Sequence, residues 1–545
     1  MKKHATFFAL ALIAILSLGL FAACANNDTP VATPAPVATP TPGPAATPTP
    51  TPDAAAPAYE PGSVEYFMSL PPMPITIWAG SEPARIGAGN LASPFRQEVY
   101  DRIAAITNTI PTFEWVDMAA QGERAILAMA AGTTPGISVV GHDDATFNAG
   151  LNNHIWEISN YIGNFENLGT INPIILSNAS QNGNLFGVPR LRDIARNGWY
   201  MNENWLDNLG LNEPRTVDEL WEVLQAFTFR DPDGNGVNDT YGLIINPEAH
   251  PAAVIAWHGG GNMWVEQNGR LVPVQLTPEY EAAVEFIRRG FAEGVFIEPI
   301  DGTSVHDAFV MGLTGFVSEL IDSGARAQDR MVDAGNPTEV LVGNGFAPNA
   351  GANIGFAAQT GFNGLLALGV RELPTEAHRD HALFFLDRMS EPEMMNIINW
   401  GLEGVTYYVD ANGYAVRRNE ADRIAAGQDT YDFMGGFNQF ISLAENPNKV
   451  YLRGPAATPL RAWHAQVQQA NTPYVVGNPA AGYISATMRE HGGELNAIIN
   501  QAQGAFIRGE IDHATFQSEI QRWLAAGFNT VIEEINAIHA EISAR

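Results

Sequence analysis

The chain has almost no lysine or cysteine, and both shortages restrict what it can be. Its 545 residues include 29 Lys and Arg against 59 Asp and Glu, a formal net charge of -30. The only lysines are Lys2, Lys3 and Lys449. Because a field of this sign repels phosphate groups, neither nucleic acid nor an anionic lipid surface is an expected partner. Cys24 is the only cysteine, so the chain has neither an internal disulfide nor a cysteine cluster for zinc.

Sequence signatures of catalysis are missing as well. The chain contains no Gly-x-Ser-x-Gly elbow, no His-Glu-x-x-His pair and no Gly-x-x-x-x-Gly-Lys phosphate loop. Short-period repeats, which an adhesin or scaffold would show, are absent too. A glycoside hydrolase needs only two suitably placed carboxylates, and carboxylates are plentiful here. The sequence therefore favours binding without catalysis, with a secreted glycoside hydrolase as the alternative.

Residues 1–23 have the pattern of a secretory signal peptide. Two lysines precede an apolar run over residues 7–21, which is short for a membrane span. Residues 20–23, Leu-Phe-Ala-Ala, stand before Cys24 and are similar to a bacterial lipobox, after which the cysteine thiol is acylated, for example with palmitate. The alternative is ordinary cleavage that leaves a free thiol. We expect an exported protein, lipid-anchored through Cys24 to the outer face of the cytoplasmic membrane.

Residues 24–71 are predicted to be a tether. Threonine and proline alternate through much of residues 28–61, and such a sequence forms neither helix nor sheet. At ~3.1 Å per residue in polyproline geometry, this stretch reaches up to about 100 Å. The folded body is expected to begin near Pro74.

Strands and helices alternate in the first part of the body. The predicted strands are 75–80, 112–116 and 137–140, and the predicted helices between them are 94–107 and 123–131. This order indicates an α/β fold with a parallel sheet covered by helices. Ligands of such sheets bind beyond the carboxyl ends of the strands, where Trp78, Glu82 and Asp144 would lie. Capping of the next helix is the alternative role for the aspartate.

Nine residues after a predicted helix have the spacing of a calcium loop. The expected oxygen ligands alternate along the chain and are Asp231, Asp233, Asn235, Val237 (through its carbonyl) and Asp239. This is the order of an EF-hand loop. However, Gly242 occupies position twelve, where an EF-hand has a bidentate glutamate, and no second helix is predicted after it. We expect structural Ca²⁺ rather than a calcium sensor; a polar turn without metal is the alternative.

Several stretches between residues 72 and 545 resemble one protein family. They are Gly187-Val188-Pro189, Trp-Leu-Asp-Asn-Leu-Gly-Leu at 205–211, Thr-Val-Asp-Glu-Leu at 216–220, the calcium loop with the Thr-Tyr-Gly that follows it, Trp-Gly-Leu-Glu-Gly-Val-Thr-Tyr at 400–407 and Phe-Ile-Arg-Gly-Glu at 506–510. With the lipobox and tether, they resemble the extracellular solute-binding proteins (family 1) of bacterial ABC importers. The similar branch is that of the large carbohydrate-binding lipoproteins named after LplA.

The resemblance implies a type II periplasmic-binding-protein fold with two α/β lobes and extra C-terminal helices. The first lobe would comprise residues 72–187 and 360–405, and the second 188–359 and 406–545. A ligand would bind in the cleft between lobes that close by hinge motion. The resemblance also implies a monomer whose partners are the membrane subunits of the importer.

Sugars are bound by aromatic faces and by planar polar side chains that bond two hydroxyls at once. The predicted ligand-binding residues are Trp78, Glu82, Asp144, Arg190, Trp199, Trp257, Phe362, Trp400 and Glu403. For each aromatic residue, a place in the core is the alternative. Arg190, Arg192 and Arg196 would suit a uronate, although pairing with local carboxylates also explains them. A non-sugar solute such as a peptide stays open.

Overall fold

The computed structural model describes residues 59–81, 93–336, 338–419, 421, 437–440, 452, 460, 466–467 and 470–544. The predicted signal peptide, Cys24, most of the tether and Glu82 lie outside these residues. Among the helices described, none combines the length and the apolar character that a membrane crossing requires.

A short helix, α1 (Val64–Ser69), lies inside the predicted tether. Ser63 caps it, and Phe67 is buried and stacks on Phe384 with ring centroids 4.5 Å apart. The side chain of Asn108 also donates to the Phe67 carbonyl oxygen. The prediction that the tether runs to residue 71 is therefore wrong, because one buried aromatic residue is enough to anchor this segment to the body.

The first lobe is built on a mixed five-stranded sheet. Its strands are β1 (Met73–Ser81), β2 (Thr109–Asp117), β3 (Ile137–Val140), β4 (Val188–Leu191) and β13 (Phe362–Leu368). Their order in the sheet is β2-β1-β3-β13-β4. β1 is parallel to β2 and β3, as the alternation of strands and helices predicted, whereas β13 is antiparallel to β3 and β4. β4 follows residue 187, so this sheet extends beyond the predicted end of the first lobe.

Helices cover both faces of this sheet. They are α2 (Pro94–Thr107), α3 (Met118–Ala130), α4 (Asp144–Leu151), α5 (Pro173–Ala179), α12 (Glu376–Arg388) and α13 (Pro392–Trp400). The predicted helix at 94–107 is confirmed. Proline at its first position and Asn108 in the left-handed conformation after its end define its two termini.

The second lobe contains a smaller antiparallel sheet. Here β5 (Asn197–Asn202) lies between β10 (Phe316–Leu320) and β11 (Val340–Gly343). Two further pairs are β6 (Leu243–Ile244) with β9 (Phe296–Ile297), and the hairpin β7 (Trp264–Gln267) with β8 (Arg270–Pro273). The helices are α6 (Glu203–Leu209), α7 (Val217–Phe229), α8 (Ala252–Trp257), α9 (Pro278–Ala292), α10 (Val305–Val310) and α11 (Asp322–Asp333).

The predicted C-terminal helices pack on the core of the second lobe. They are α14 (Ala486–Ile507), α15 (His513–Trp523) and α16 (Asn529–Ser543), with a π-helical turn at Leu524–Phe528. Leu495, Trp523 and Val531 bury their side chains in that core. A separate hairpin, β14 (Tyr407–Val409) with β15 (Ala415–Arg417), follows α13.

Three extended segments connect the lobes, and we call them the hinge ribbon: residues 191–197, 356–362 and 475–479. The first two are bonded by the Arg192 amide to the Gly361 carbonyl (2.7 Å) and the Gln359 amide to the Ile194 carbonyl (3.1 Å). The second and third segments are joined where β12 (Phe356–Ala357) pairs in parallel with β16 (Val475–Val476). These short segments join two packed bodies, so backbone changes within this ribbon would allow a hinge motion.

Candidate ligand-binding cleft

Both sheets present strand ends to the hinge ribbon. In the first lobe β4 ends at Leu191, which pairs with Phe362 at the start of β13. In the second lobe β5 starts at Asn197, which pairs with Leu320 at the end of β10. Ligands of α/β sheets bind outside such ends. The side chains at these ends are therefore the candidates for ligand contact.

A cavity of 280 Å³, which we call the strand-end cavity, lies at this end of the second sheet. Its polar lining includes Asn197, Ser318, Glu319 and His250, and Trp257 forms part of its wall. The side-chain nitrogen of Asn197 donates to the Ala357 carbonyl of the hinge ribbon (2.7 Å). This contact fixes the amide in place. Amide, hydroxyl, imidazole and carboxylate groups beside an aromatic wall suit the hydroxyls of a sugar.

His250 is the least expected group in this cavity. Its Nε2 atom is buried and has no hydrogen-bond partner in the described part of the chain. Burial lowers the pKa of His250 to about 4, so the imidazole is neutral at neutral pH. A neutral imidazole both donates and accepts, which matches a hydroxyl group. Sequence analysis did not single out His250, which follows no strand and belongs to no recognised motif.

The rim of the first lobe carries an imidazole next to an aromatic ring. His142 follows β3, and its ring meets Phe362 edge to face, with centroids 5.1 Å apart. The Nε2 atom of His142 is buried without a partner among the described residues, and burial lowers the pKa of this histidine. Phe362 was predicted as a ligand-binding residue, and its position directly at the hinge ribbon is compatible with that role.

Two arginines at the end of β4 have no acidic partner among the residues that the structure describes. Arg190 is 7% exposed and donates to the carbonyl oxygens of Gln439 (2.9 Å) and Asn363 (2.7 Å). Burial, with a smaller contribution from the charge of Arg192, lowers the pKa of Arg190 to about 10. Arg192 is half-buried and donates only to the Leu191 carbonyl (2.7 Å).

Burial and the neighbouring Arg196 lower the pKa of Arg192. Arg196 itself pairs with Asp322 at 3.2 Å. Across the described residues, no carboxylate forms an ion pair with Arg190 or Arg192. Because the donors of Arg190 already bond to backbone, Arg192 is the better placed of the two to meet a ligand.

The tryptophans of the second lobe are core residues. Trp199 is 2% exposed and stacks on Phe346, with centroids 5.5 Å apart. Trp257 meets the same ring edge to face at 5.1 Å. Trp257 also borders the strand-end cavity, whereas Trp199 does not line it. The glycine run after Trp257 indicated a loop, but tertiary packing buries both rings.

Two predicted site residues of the first lobe are engaged by other side chains. The guanidinium carbon of Arg124 lies 3.7 Å from the centroid of the Trp78 ring and covers one of its faces. Asp144 pairs with Arg489 of α14 at 2.9 Å. The helix cap of α4 is Asp143, which accepts from the Thr146 amide. Helix capping, the alternative predicted at this strand end, is therefore confirmed for Asp143, whereas Asp144 is the first residue of the helix.

Trp400 and Glu403 form a group that does not line the strand-end cavity. The indole nitrogen of Trp400 donates to the Leu452 carbonyl at 2.9 Å, and Arg417 lies over its ring at 5.0 Å. Glu403 is exposed next to Tyr407, where a β-bridge joins the two residues. The structure thus separates these two residues from His250 and Trp257.

The calcium loop brings its carboxylates together around one amide. Asp231 accepts from the backbone amides of Asn235 (3.0 Å) and Gly236 (2.9 Å). The side-chain nitrogen of Asn235 lies 3.0 Å from an oxygen of Asp233 and 3.2 Å from one of Asp239. Partial burial and the nearby carboxylates of Asp239 and Asp231 raise the pKa of Asp233.

A cation would relieve this repulsion, so the donor chemistry of the loop fits Ca²⁺. The side chains themselves adopt a hydrogen-bonded arrangement. In the described residues, no three His, Cys, Asp or Glu side chains are grouped as metal ligands.

Gly242 cannot be replaced by the glutamate of an EF-hand. A Cβ atom there would lie 2.6 Å from the Leu224 carbonyl oxygen, and the Gly242 amide bonds to Thr228. The chain continues into β6 rather than into a second helix. This loop therefore lacks the moving helix pair of a sensor.

Comparison with known proteins gives two relatives that align over most of the chain. No family model matches. The chain is 28% identical over 450 residues to the polygalacturonan/rhamnogalacturonan-binding protein YtcQ of Bacillus subtilis (strain 168), covering 81% of this chain and 88% of that protein. It is also 28% identical over 442 residues to lipoprotein LipO of the same organism, covering 78% and 85%.

Solved structures share the fold. A solute-binding protein of Bifidobacterium longum infantis, described as HMO-binding and associated with an ABC transporter, has a TM-score of 0.61 at 16% identity and covers 87% of this chain and 99% of its own. The alginate-binding protein AlgQ2, solved without calcium ion, has a TM-score of 0.57 at 17% identity, with coverage of 87% and 99%. This chain therefore has the fold of the two-lobe solute-binding proteins.

The two-lobe α/β fold, predicted from the sequence motifs, is confirmed, and the similarity to a polygalacturonan/rhamnogalacturonan-binding protein agrees with the resemblance to carbohydrate-binding proteins. A further structure with the same fold is an EF-hand mutant of the FusA substrate-binding protein of Streptococcus pneumoniae in complex with fructo-nystose (TM-score 0.56, 16% identity, 86% and 99% coverage). Calcium and an EF-hand thus occur in descriptions of its structural neighbours.

Proposed function

We propose that this solute-binding protein captures an oligosaccharide between its lobes and delivers it to the membrane subunits of an ABC importer. The relatives named above and the strand-end cavity beside the hinge ribbon support this function. A sugar that contacts both lobes favours the closed arrangement, which the importer distinguishes from the open one. On this proposal the protein is an exported monomer, held at the membrane by lipid on Cys24 and by its tether.

We propose further that the sugar carries carboxylates, as uronates do. The observation that carries this step is the pair Arg190 and Arg192 at the end of β4, neither of which has a carboxylate partner in the described residues. They form a local positive region in a chain whose net charge is -30. A guanidinium binds a carboxylate through two parallel hydrogen bonds, and such charge-assisted bonds are roughly twice as strong as neutral ones.

Titration calorimetry with the whole mature chain tests the substrate class. Trigalacturonate, the neutral sugar maltotriose and an acidic tripeptide would be compared at low and high salt. We expect trigalacturonate to bind most tightly, with affinity falling as salt rises because part of the attraction is electrostatic. Equal affinity for maltotriose would contradict the carboxylate proposal, and binding of the peptide alone would contradict the sugar proposal.

The relatives are binding proteins, and we propose that this chain also binds its sugar without cleaving it. Chromatography of trigalacturonate after long incubation with the protein should return only the intact trimer. Shorter products that disappear when the protein is heat-denatured would instead indicate a glycoside hydrolase.

We propose that the calcium loop holds one Ca²⁺ as a structural brace on the second lobe. Asp231, Asp233, Asn235 and Asp239 would supply side-chain oxygens, and Val237 its carbonyl. When bound, the ion would neutralise the carboxylates that now repel one another and link its binding to the folding of the loop. The loop is exposed, does not line the strand-end cavity and does not include Arg190 or Arg192.

A further inference from the structure

A second enclosed space, which we call the C-terminal cavity, lies within the second lobe. Its volume is 350 Å³, and it is bounded by the β7–β8 hairpin and helices α14 to α16. Trp264, Trp523 and Phe528 form aromatic walls. No Asp, Glu, Lys or Arg is among the residues that line it. Its size is in the range of small-molecule sites. Its uncharged lining differs from the end of β4 in the first lobe, where Arg190 and Arg192 lie.

One wall of this cavity carries a buried donor without an acceptor. Trp523 is 1% exposed, and its indole nitrogen has no hydrogen-bond partner in the described residues. The ring is held by Phe528, whose centroid is 3.8 Å away across the π-helical turn. Buried polar groups of folded proteins are nearly always hydrogen-bonded. The Trp523 donor is therefore a place where an acceptor oxygen would gain a bond.

His250 supplies a second polar contact. It lines both the C-terminal cavity and the strand-end cavity, so its imidazole stands in the wall between them. Its Nε2 atom also lacks a partner within the described part of the protein. A donor and a neutral imidazole in an uncharged, largely aromatic and aliphatic lining suit a hydroxyl group on an apolar ring.

The C-terminal cavity also adjoins a segment that ties the second lobe to the first. Tyr483 and Ser485 line the cavity, and between them the Ile484 amide donates to the Asn182 side chain of the first lobe (2.7 Å). The Asn182 amide donates to the Gly482 carbonyl (2.9 Å). The approach is close, because a Cβ atom on Gly482 would lie 2.1 Å from the Ser180 carbonyl oxygen.

We propose that the C-terminal cavity is a second ligand site for a small uncharged ring compound with one hydroxyl group, and that its occupancy steadies the segment from Gly482 to Ser485 against the first lobe. The C-terminal cavity shares the His250 wall with the strand-end cavity, but the rest of its lining is different and carries no Asp, Glu, Lys or Arg.

The test uses 4-fluorophenol and fluorobenzene, which differ by one hydroxyl group, titrated into the full-length protein with fluorine NMR as the readout. We expect 4-fluorophenol to bind more tightly than fluorobenzene. Trp523→Phe keeps the ring but removes the donor, so it should weaken 4-fluorophenol by roughly 2- to 10-fold and leave fluorobenzene unchanged. Val531→Ile narrows the cavity without a polar change and should weaken the binding of both compounds. This second variant tests the site if Trp523→Phe does not fold.

Amide hydrogen exchange tests the second half of the proposal. Bound 4-fluorophenol should slow exchange at Ile484, whose amide bonds to Asn182. Equal affinity for the two compounds, or unchanged exchange at Ile484 with 4-fluorophenol bound, would overturn the proposal. A parallel trigalacturonate titration of the same samples keeps this result separate from the fate of the oligosaccharide site.

Discussion

The two lobes offer opposite chemistry to the space beside the hinge ribbon. The first lobe presents arginines without carboxylate partners, beside His142 and Phe362. The second presents Asn197, Ser318 and a neutral His250 in a shaped cavity. This difference suggests a division of ligand contacts between the lobes: the first lobe attracts a charged ligand, and the second recognises its hydroxyl groups. Such a division would require both lobes for tight binding, which is what couples binding to closure.

The largest expected effect on sugar affinity is from Arg192→Gln. Loss of a charge-assisted contact that leaves a ligand carboxylate without its partner costs about 2 kcal/mol, or roughly 30-fold in affinity for trigalacturonate. The salt dependence should also become weaker. Arg270→Gln is the control: it removes the same charge from an exposed arginine that pairs with Glu533 and does not line the strand-end cavity. This variant should leave the affinity for trigalacturonate unchanged in calorimetry. Equal losses in both variants would show only a general charge effect.

A smaller loss is expected from His250→Leu in the second lobe. A ligand hydroxyl left without its partner in the strand-end cavity costs about 1.5 kcal/mol, or roughly tenfold. Unlike the Arg192 effect, this loss should not depend on salt. His513→Leu, at an exposed histidine paired with Glu281, is the matched control. A loss that disappears at high salt would break the contrast between the lobes.

The same histidine predicts a pH dependence of stability. Burial lowers the pKa of His250 to about 4, whereas the unfolded chain binds a proton near pH 6.5. Between these values the unfolded state holds more protons, so the free energy of unfolding falls as pH is lowered from about 6.5 to 4, by up to about 3 kcal/mol. Urea unfolding at pH 4.5 and 7.5 should show a smaller pH difference in His250→Leu than in the wild type.

Phe362→Leu should have a modest effect. An aromatic face contributes about 0.5–1.5 kcal/mol beyond its buried area, so we expect roughly threefold weaker binding. Phe147→Leu changes a core ring of the same lobe, which packs against Phe186, and should lower stability without changing affinity. Unchanged binding in Phe362→Leu would remove this ring from the site.

Calcium removal should affect sugar affinity least. Because the loop lies apart from both cleft surfaces, a chelator should leave the affinity for trigalacturonate within about twofold while lowering the melting temperature of the second lobe. Asp233→Asn should abolish that chelator effect, whereas Asp301→Asn, another exposed aspartate of the same lobe, should not. A melting temperature that ignores both calcium and chelator would support the metal-free turn.

Elements with strong local signals were predicted well. The helix at 94–107 begins at Ser93-Pro94, and the capping box of Thr216 with Glu219 forms as expected. The tether was placed too far into the chain because α1 is short and its stability depends on Phe67 reaching the distant Phe384. Only Phe67 of this six-residue helix is buried, and one buried position has no periodicity to detect.

The cleft was predicted less well than the fold. Phe362 and Trp257 were identified, and they lie at the hinge ribbon and in the cavity wall. His250 was missed, and Trp199 was assigned to the ligand although its ring packs on Phe346. The residues next to a position in the sequence indicate whether it lies in a loop, a helix or a strand. They do not indicate which face of that helix or strand packs against the core. That depends on contacts between residues far apart in the chain.

The sequence alone determined the resemblance to solute-binding proteins, the α/β order and the spacing of the calcium-loop oxygens, because these depend on residues that are close together in the chain. Only the tertiary structure decided which charges are left without partners. Arg196 forms an ion pair with Asp322, and Asp144 forms one with Arg489. Within the described residues, Arg190 and Arg192 donate to backbone carbonyl oxygens instead. Pairing of charges depends on which distant segments meet when the lobes fold. The calcium loop could therefore be recognised from its spacing, whereas the unpaired state of Arg190 and Arg192 could not be predicted from the sequence.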